Sequence, residues 1–112
     1  MSHVSVINNI SVPEGMEEEA EKVRSVYVNY FKAQLGFVES KFYKSLNRNE
    51  DGSLNYINIV VWDSRESFEK VVNKGFGSEY GENQDGMRVL GKGFPEPIKV
   101  SPGQFELLEE NA

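Results

Sequence analysis

One residue in the N-terminal segment breaks the pattern around it. In His3–Val12, HVSVINNISV, an extended chain places Val4, Val6, Asn8, Ile10 and Val12 on one side. His3, Ser5, Ile7, Asn9 and Ser11 fall on the other side. Asn8 is therefore an amide on an otherwise apolar face, and a buried amide needs partners from protein, water or a ligand. It either bonds a neighbouring backbone group at a bulge or presents its polar atoms to a bound molecule. In the second case its chemistry is to hold an oxygen and stabilise charge developing there. Tyr80 offers a phenol that can act as a donor, or else covers a loose loop. Trp62 carries a large ring and an indole N–H that calls for a partner when buried.

Several other chemistries have no residues to carry them. The chain of 112 residues has no cysteine, which removes disulfides, thiolate metal sites and a thiol nucleophile. His3 is the single histidine, and no phosphate-cradling glycine loop, zinc-type spacing or Ser-His-Asp set is present. Glu17, Glu18, Glu19 and Glu21 fit the start of a helix, where the dipole favours negative charge, better than a metal site; no metal is expected. A net charge of −6 argues against nucleic acid, whose affinity rests on clustered Lys and Arg. The opening MSHVSVINN lacks the basic and apolar regions of a leader, and no run reaches membrane-spanning length. A cytoplasmic location is expected, with no membrane partner.

The elements that must position these residues can be read in order. The first strand ends at Pro13-Glu14-Gly15. Glu14 to Leu35 is predicted helical, with Met16, Ala20, Val23, Tyr27, Tyr30 and Phe31 as its apolar stripe and Gly36 as its left-handed C′ residue. Phe37 to Asn47 reads as a second strand, with Val38, Ser40, Phe42, Lys44 and Leu46 on one side and Phe37 and Tyr43 on the other. Asn49–Ser53, with Asp51-Gly52, is a turn into an antiparallel strand from about Leu54 to Trp62. That stretch, with the helix start after it, is the clearest junction in the chain. Asp63 and Ser64 can each accept a free N–H at a helix start, Asp63 and Glu66 have capping-box spacing, and a helix is predicted over Ser64–Lys74 with Phe68, Val71 and Val72 inward. The glycine-rich stretch from Gly75 to Gly93 reads as loop with short helical turns. Ile98 to Leu108 reads as a last strand, interrupted at Ser101-Pro102-Gly103. The order strand, helix, strand, strand, helix, strand is the split arrangement of an α+β ferredoxin-like fold in one domain.

The opening Asn8–Gly15 (NNISVPEG), the start Gly36-Phe37-Val38 and the signature Val60–Phe68 (VVWDSRESF) appear in an order and spacing that resembles the antibiotic-biosynthesis-monooxygenase family. The resemblance covers the first two-thirds of the chain. It implies a homodimer in which two ferredoxin-like βαββαβ protomers pack sheet to sheet as a dimeric α+β barrel. Each protomer then has a pocket between sheet and helices for a small hydrophobic or aromatic ligand. Several members oxidise aromatic substrates with O₂ without metal or flavin. Carried onto this chain, Asn8 and Tyr80 are the catalytic candidates. Trp62, Tyr27, Phe31 and Val71 are the candidates for substrate contact, although Tyr27 and Phe31 are core by spacing alone. Members that degrade haem use a Trp and an iron-ligating His. Their positions fall here at about Val71 and at Tyr80 or Gly81, so no cofactor is expected and haem is the alternative. The resulting expectation is a small monooxygenase acting on an aromatic or quinoid substrate. The alternatives are a dimeric module that binds such a molecule or haem without turnover, and a structural or regulatory dimer.

Overall fold

The computed structural model describes residues 3–72 and 94–111. The elements are β1 (Val4–Val12), α1 (Glu17–Lys32), β2 (Phe37–Lys44), β3 (Leu54–Trp62), α2 (Arg65–Val72) and β4 (Lys99–Phe105). The four strands form one antiparallel sheet in the order β2-β3-β1-β4. This is the ferredoxin-like topology expected from the element order. The two central strands are the two most apolar ones, each with alternate residues buried.

The side chains buried between sheet and helices are Val4, Val6, Ile10 and Val12 of β1 and Leu54, Tyr56, Val60 and Trp62 of β3. They form two separate clusters. One joins Val4, Val6, Val60 and Trp62 to Phe68 and Val71 of α2, with Tyr30, Phe31 and Phe37 against it. The other joins Ile10, Val12, Leu54 and Tyr56 to Ala20 of α1 and to Ile98. Trp62 is among the most deeply buried residues and is ringed by Phe31, Phe37 and Phe68, with centroids 5.7, 6.0 and 6.3 Å away. The contacts with Phe31 and Phe37 are edge-to-face, a geometry that adds to the burial of the ring itself.

Several local features differ from the sequence-based expectations, each for a physical reason. A register irregularity between Phe37 and Glu39 shifts the phase of β2. Phe37 therefore shares the helix-covered side with Ser40 and Phe42, instead of lying opposite them. The first helix is shorter than predicted and has its C-cap at Ala33, so Gly36 is not its C′ residue. Gly36 does adopt φ +93°, at the entry to β2. Its carbonyl accepts the Asp63 N–H at 2.8 Å, and a Cβ there would strike the Ser67 side chain.

Of the two residues expected to cap the second helix, Ser64 does so and Asp63 does not. Ser64 Oγ accepts the Ser67 N–H at 3.1 Å, while Ser67 Oγ donates to Asp63 Oδ1 at 2.6 Å. Glu66 does not close a capping box; it pairs with Lys70 one turn on, at 3.3 Å. The Asp51-Gly52 turn forms as expected, with Gly52 at φ +84° and Asp51 Oδ1 accepting the Ser53 N–H at 2.9 Å. Residues 101–103 do not interrupt the last strand. Pro102 pairs opposite Asn8, and an edge strand tolerates a residue with no N–H to donate.

The other face of the sheet carries no helix among the described residues. Across it, cross-strand rows run Glu39, Val61, Ser5, Phe105, then Lys41, Ile59, Ile7, Gly103, then Tyr43, Ile57, Asn9, Ser101. Tyr43, Ile57 and Phe105 are exposed there, and the Phe105 ring lies over Gly103. No helix among the described residues is long and apolar enough to cross a membrane.

Candidate functional site: a polar seam beneath an aromatic wall

The register of the central strands places Asn8 directly opposite Asn58. Both amides sit on the helix-covered face, each flanked along its own strand by apolar residues. Asn58 is 5 % exposed and its Oδ1 accepts from Arg24 Nε at 3.0 Å. Arg24 Nη2 donates to Ser40 Oγ at 3.3 Å, and its guanidinium carbon stands 4.7 Å from the centroid of the Phe42 ring. One polar group thus comes from each of β1, β3, β2 and α1, and together they fill the gap between the two apolar clusters. The Asn8 side-chain oxygen is buried and accepts no hydrogen bond among the described residues. An acceptor left in that state costs about 1–3 kcal/mol of desolvation.

Arg24 is half-buried and forms no ion pair among the described residues. Burial lowers its pKa from the usual arginine value. Glu21, one turn before Arg24 on the same helix, is already engaged. Glu21 of α1 accepts from the Tyr56 hydroxyl at 2.8 Å and lies 3.9 Å from Lys44 Nζ of β2. Burial and the Glu21 carboxylate both push the Tyr56 phenol well above its ordinary pKa, so it stays protonated and serves as a strut between helix and sheet.

Among the described residues the cavity over this seam is lined by Val6, Asn8, Arg24, Tyr27, Phe31, Asn58, Val60, Trp62, Phe68 and Phe94. Its walls are aromatic: Tyr27 stacks on Phe94 at 5.6 Å and packs against Phe31 at 6.0 Å. The cavity volume is about 20 Å³, enough for roughly one water molecule. Two amides, a guanidinium and several aromatic rings therefore converge on one small space. That combination can hold a planar aromatic molecule by its faces and its oxygens by hydrogen bonds.

Of the residues singled out from sequence, Asn8, Trp62, Tyr27 and Phe31 meet in this cavity. Val71 does not line it; it packs into the cluster around Trp62 and borders a separate hollow with Gly36, Asp63 and Ser67. Tyr80 lies outside the described residues. Arg24, Asn58 and Phe94 were not foreseen. Arg24 had a visible signal, since it follows Ala20 by four residues and precedes Tyr27 by three, which puts a charge on the helix's apolar stripe. Asn58 had the same signal as Asn8, an amide alternating with Tyr56 and Val60.

No family model matches the sequence, and no curated protein matches it. Solved structures do. A candidate monooxygenase from Shewanella loihica PV-4 superposes with TM-score 0.69 at 19% identity, covering 98% of this chain and 99% of the other. SnoaB, a cofactor-independent oxygenase from Streptomyces nogalater, gives 0.66 at 21%, covering 98% and 97%. The haem degrader MhuD from Mycobacterium tuberculosis, solved with two haems in its active site, gives 0.65 at 23%, covering 97% and 99%. At these identities the likeness establishes the fold.

The unsatisfied Asn8 oxygen makes a stability prediction. Asn8→Val removes a buried acceptor and supplies the apolar, β-branched residue that the face otherwise carries. It is expected to stabilise the protein by about 1 kcal/mol, raising the melting temperature by several degrees. A loss of about 1 kcal/mol or more in the same melting experiment would mean that Asn8 is held by structural bonds.

Proposed function

We propose that this chain is a member of the antibiotic-biosynthesis-monooxygenase family, a cofactor-independent monooxygenase that oxidises an aromatic or quinoid substrate in the cavity over Asn8. The observation that carries this reading is the buried Asn8 oxygen, which accepts no bond from the described residues and lies under an aromatic wall where a hydroxyaromatic molecule could donate to it. The shared fold with a cofactor-independent oxygenase supports it. In such a reaction the substrate itself supplies electrons to O₂ from its ionised form. The protein has to favour that form, hold it and exclude water. Asn8 and Asn58 can orient the substrate oxygens, with Trp62, Tyr27 and Phe31 against its faces; Tyr80 remains a proposed phenol donor. A quinol is larger than one water, so its entry requires the rings of the wall to move apart.

Haem fits the residues less well. The sole histidine, His3, borders a different cavity with Val4, Arg65 and Phe105, and neither histidine nor cysteine is found in the lining over Asn8. A second reading has one observation in its favour: no carboxylate or imidazole lines the cavity among the described residues to serve as a base. The chain would then be a module that binds such a molecule without turnover. The proposed setting is the cytoplasm.

O₂ consumption with model anthrones and quinols separates the two readings. The enzyme consumes O₂ saturably, and Asn8→Val, still folded, lowers the rate by about a hundredfold, the scale of losing one contact that orients the substrate. Saturable binding of the quinol with no O₂ consumption supports the module.

We also propose that two copies pack through the helix-free sheet face, where Tyr43, Ile57 and Phe105 are otherwise exposed beside Ile7, Ile59 and Val61. Sedimentation at micromolar concentration is expected to give twice the mass of one chain, and Ile57→Lys to reduce it to one. A well-folded monomer of the unaltered protein at that concentration contradicts the dimer.

A further inference from the structure

The cavity poses a chemical problem that its own lining answers. Oxidation by O₂ starts from an ionised substrate, yet no general base borders the cavity among the described residues. What borders it instead is a half-buried guanidinium with no carboxylate partner among the described residues. Arg24 is fixed by Asn58 and Ser40 and rests on the Phe42 ring, so its position is set before any ligand arrives. Its bonds to Asn58 and Ser40 use Nε and Nη2, leaving donor capacity at the second terminal nitrogen among the described residues. The flanking charges do not neutralise it: Glu21 is engaged by Lys44 and Tyr56, and Glu17 lies 3.5 Å from Arg48. Opposite, the Asn8 oxygen accepts no bond from the described residues and has room for a donor. The two requirements have opposite polarity and lie on adjoining elements, linked through the Asn8–Asn58 cross-strand pair.

From this we infer that the site takes its substrate from solution as an aromatic monoanion that keeps a neighbouring hydroxyl. The ionised oxygen lies against Arg24, and the retained hydroxyl donates to Asn8 Oδ1. The ligand class is a catechol-like or peri-dihydroxy aromatic. Arg24 acts by stabilising the charged form, which replaces the missing base, and Asn8 selects for the second oxygen. This rests on the proposed aromatic pocket and specifies what that pocket recognises. It needs no proton transfer inside the protein, because the proton is lost to water before binding.

Nitrocatechol and its methyl ethers test the assignment on the intact protein, because ionised nitrocatechol has its own visible absorption band. Nitrocatechol is expected to bind at least about tenfold more tightly than its dimethyl ether, with the anion band present in the bound form below the pH at which it develops in water. The monomethyl ether that keeps the acidic hydroxyl is expected to fall between them. In Arg24→Gln the preference over the dimethyl ether should shrink to less than about threefold and the anion band of bound nitrocatechol should move back to the pH at which it develops in water. A merely structural role for Arg24 would not move the anion band.

Equal binding of nitrocatechol and the dimethyl ether overturns the charge assignment and leaves the aromatic pocket standing. So does an unchanged preference in a folded Arg24→Gln. If that variant does not fold, the ether series on the unaltered protein decides alone. Equal binding of nitrocatechol and the monomethyl ether overturns the role given to Asn8. Binding of none of the three overturns this inference and the pocket reading together.

Discussion

The core of this protein is not continuous. A seam of polar side chains, Asn8, Asn58, Arg24 and Ser40, runs across the helix-covered face of the sheet and separates two apolar clusters. The seam depends on register. Asn8 meets Asn58 only because β1 and β3 pair as they do, and a slip by one residue would turn every side chain of a strand to the opposite face. The valines and isoleucines on either side hold that register. The apolar clusters thereby fix the position of the polar groups between them, and the fixed geometry makes the seam usable as a site.

The arrangement is costly in isolation. A guanidinium is partly desolvated, and an amide oxygen has no donor among the described residues. Burying two leucine-sized side chains at these positions would contribute about 1.5–3 kcal/mol each. Two large clusters on either side offset the loss, with Trp62 anchoring one and Tyr56 the other. Stability is thus concentrated at the two ends of the sandwich and relaxed in the middle. That distribution suits a small cavity whose walls are rings rather than backbone, since rings can shift without breaking a strand ladder.

Much of this was visible in the sequence wherever a pattern had an exception. Alternation along His3–Val12 exposed Asn8, and the β-branched run before Trp62 marked the third strand and its junction with a helix. The Asp51-Gly52 turn followed from residue type. What escaped notice depended on three-dimensional detail. The irregularity between Phe37 and Glu39 is not encoded by a glycine or proline, so simple alternation put Phe37 on the wrong face. Two serines and an aspartate adjoin at the second helix, and only the bonds formed show which is the cap. Arg24 was overlooked because a charged residue on a helix is ordinarily assigned to solvent. Its place on the apolar stripe was the signal, and it acquires meaning only beside Asn58.

The central claim is that this seam is a binding site and not a structural compromise. Side-chain amide and guanidinium resonances test it most directly, in a heteronuclear NMR titration of the protein with a dihydroxyaromatic compound. The account predicts that the Asn8 and Asn58 amides and the Arg24 Nε–H shift together along one saturable curve, while the turn amides of Asn49 and Asn55 stay fixed. Shifts confined to the turn or to the helix-free face, with the three seam residues unmoved at saturation, would contradict it.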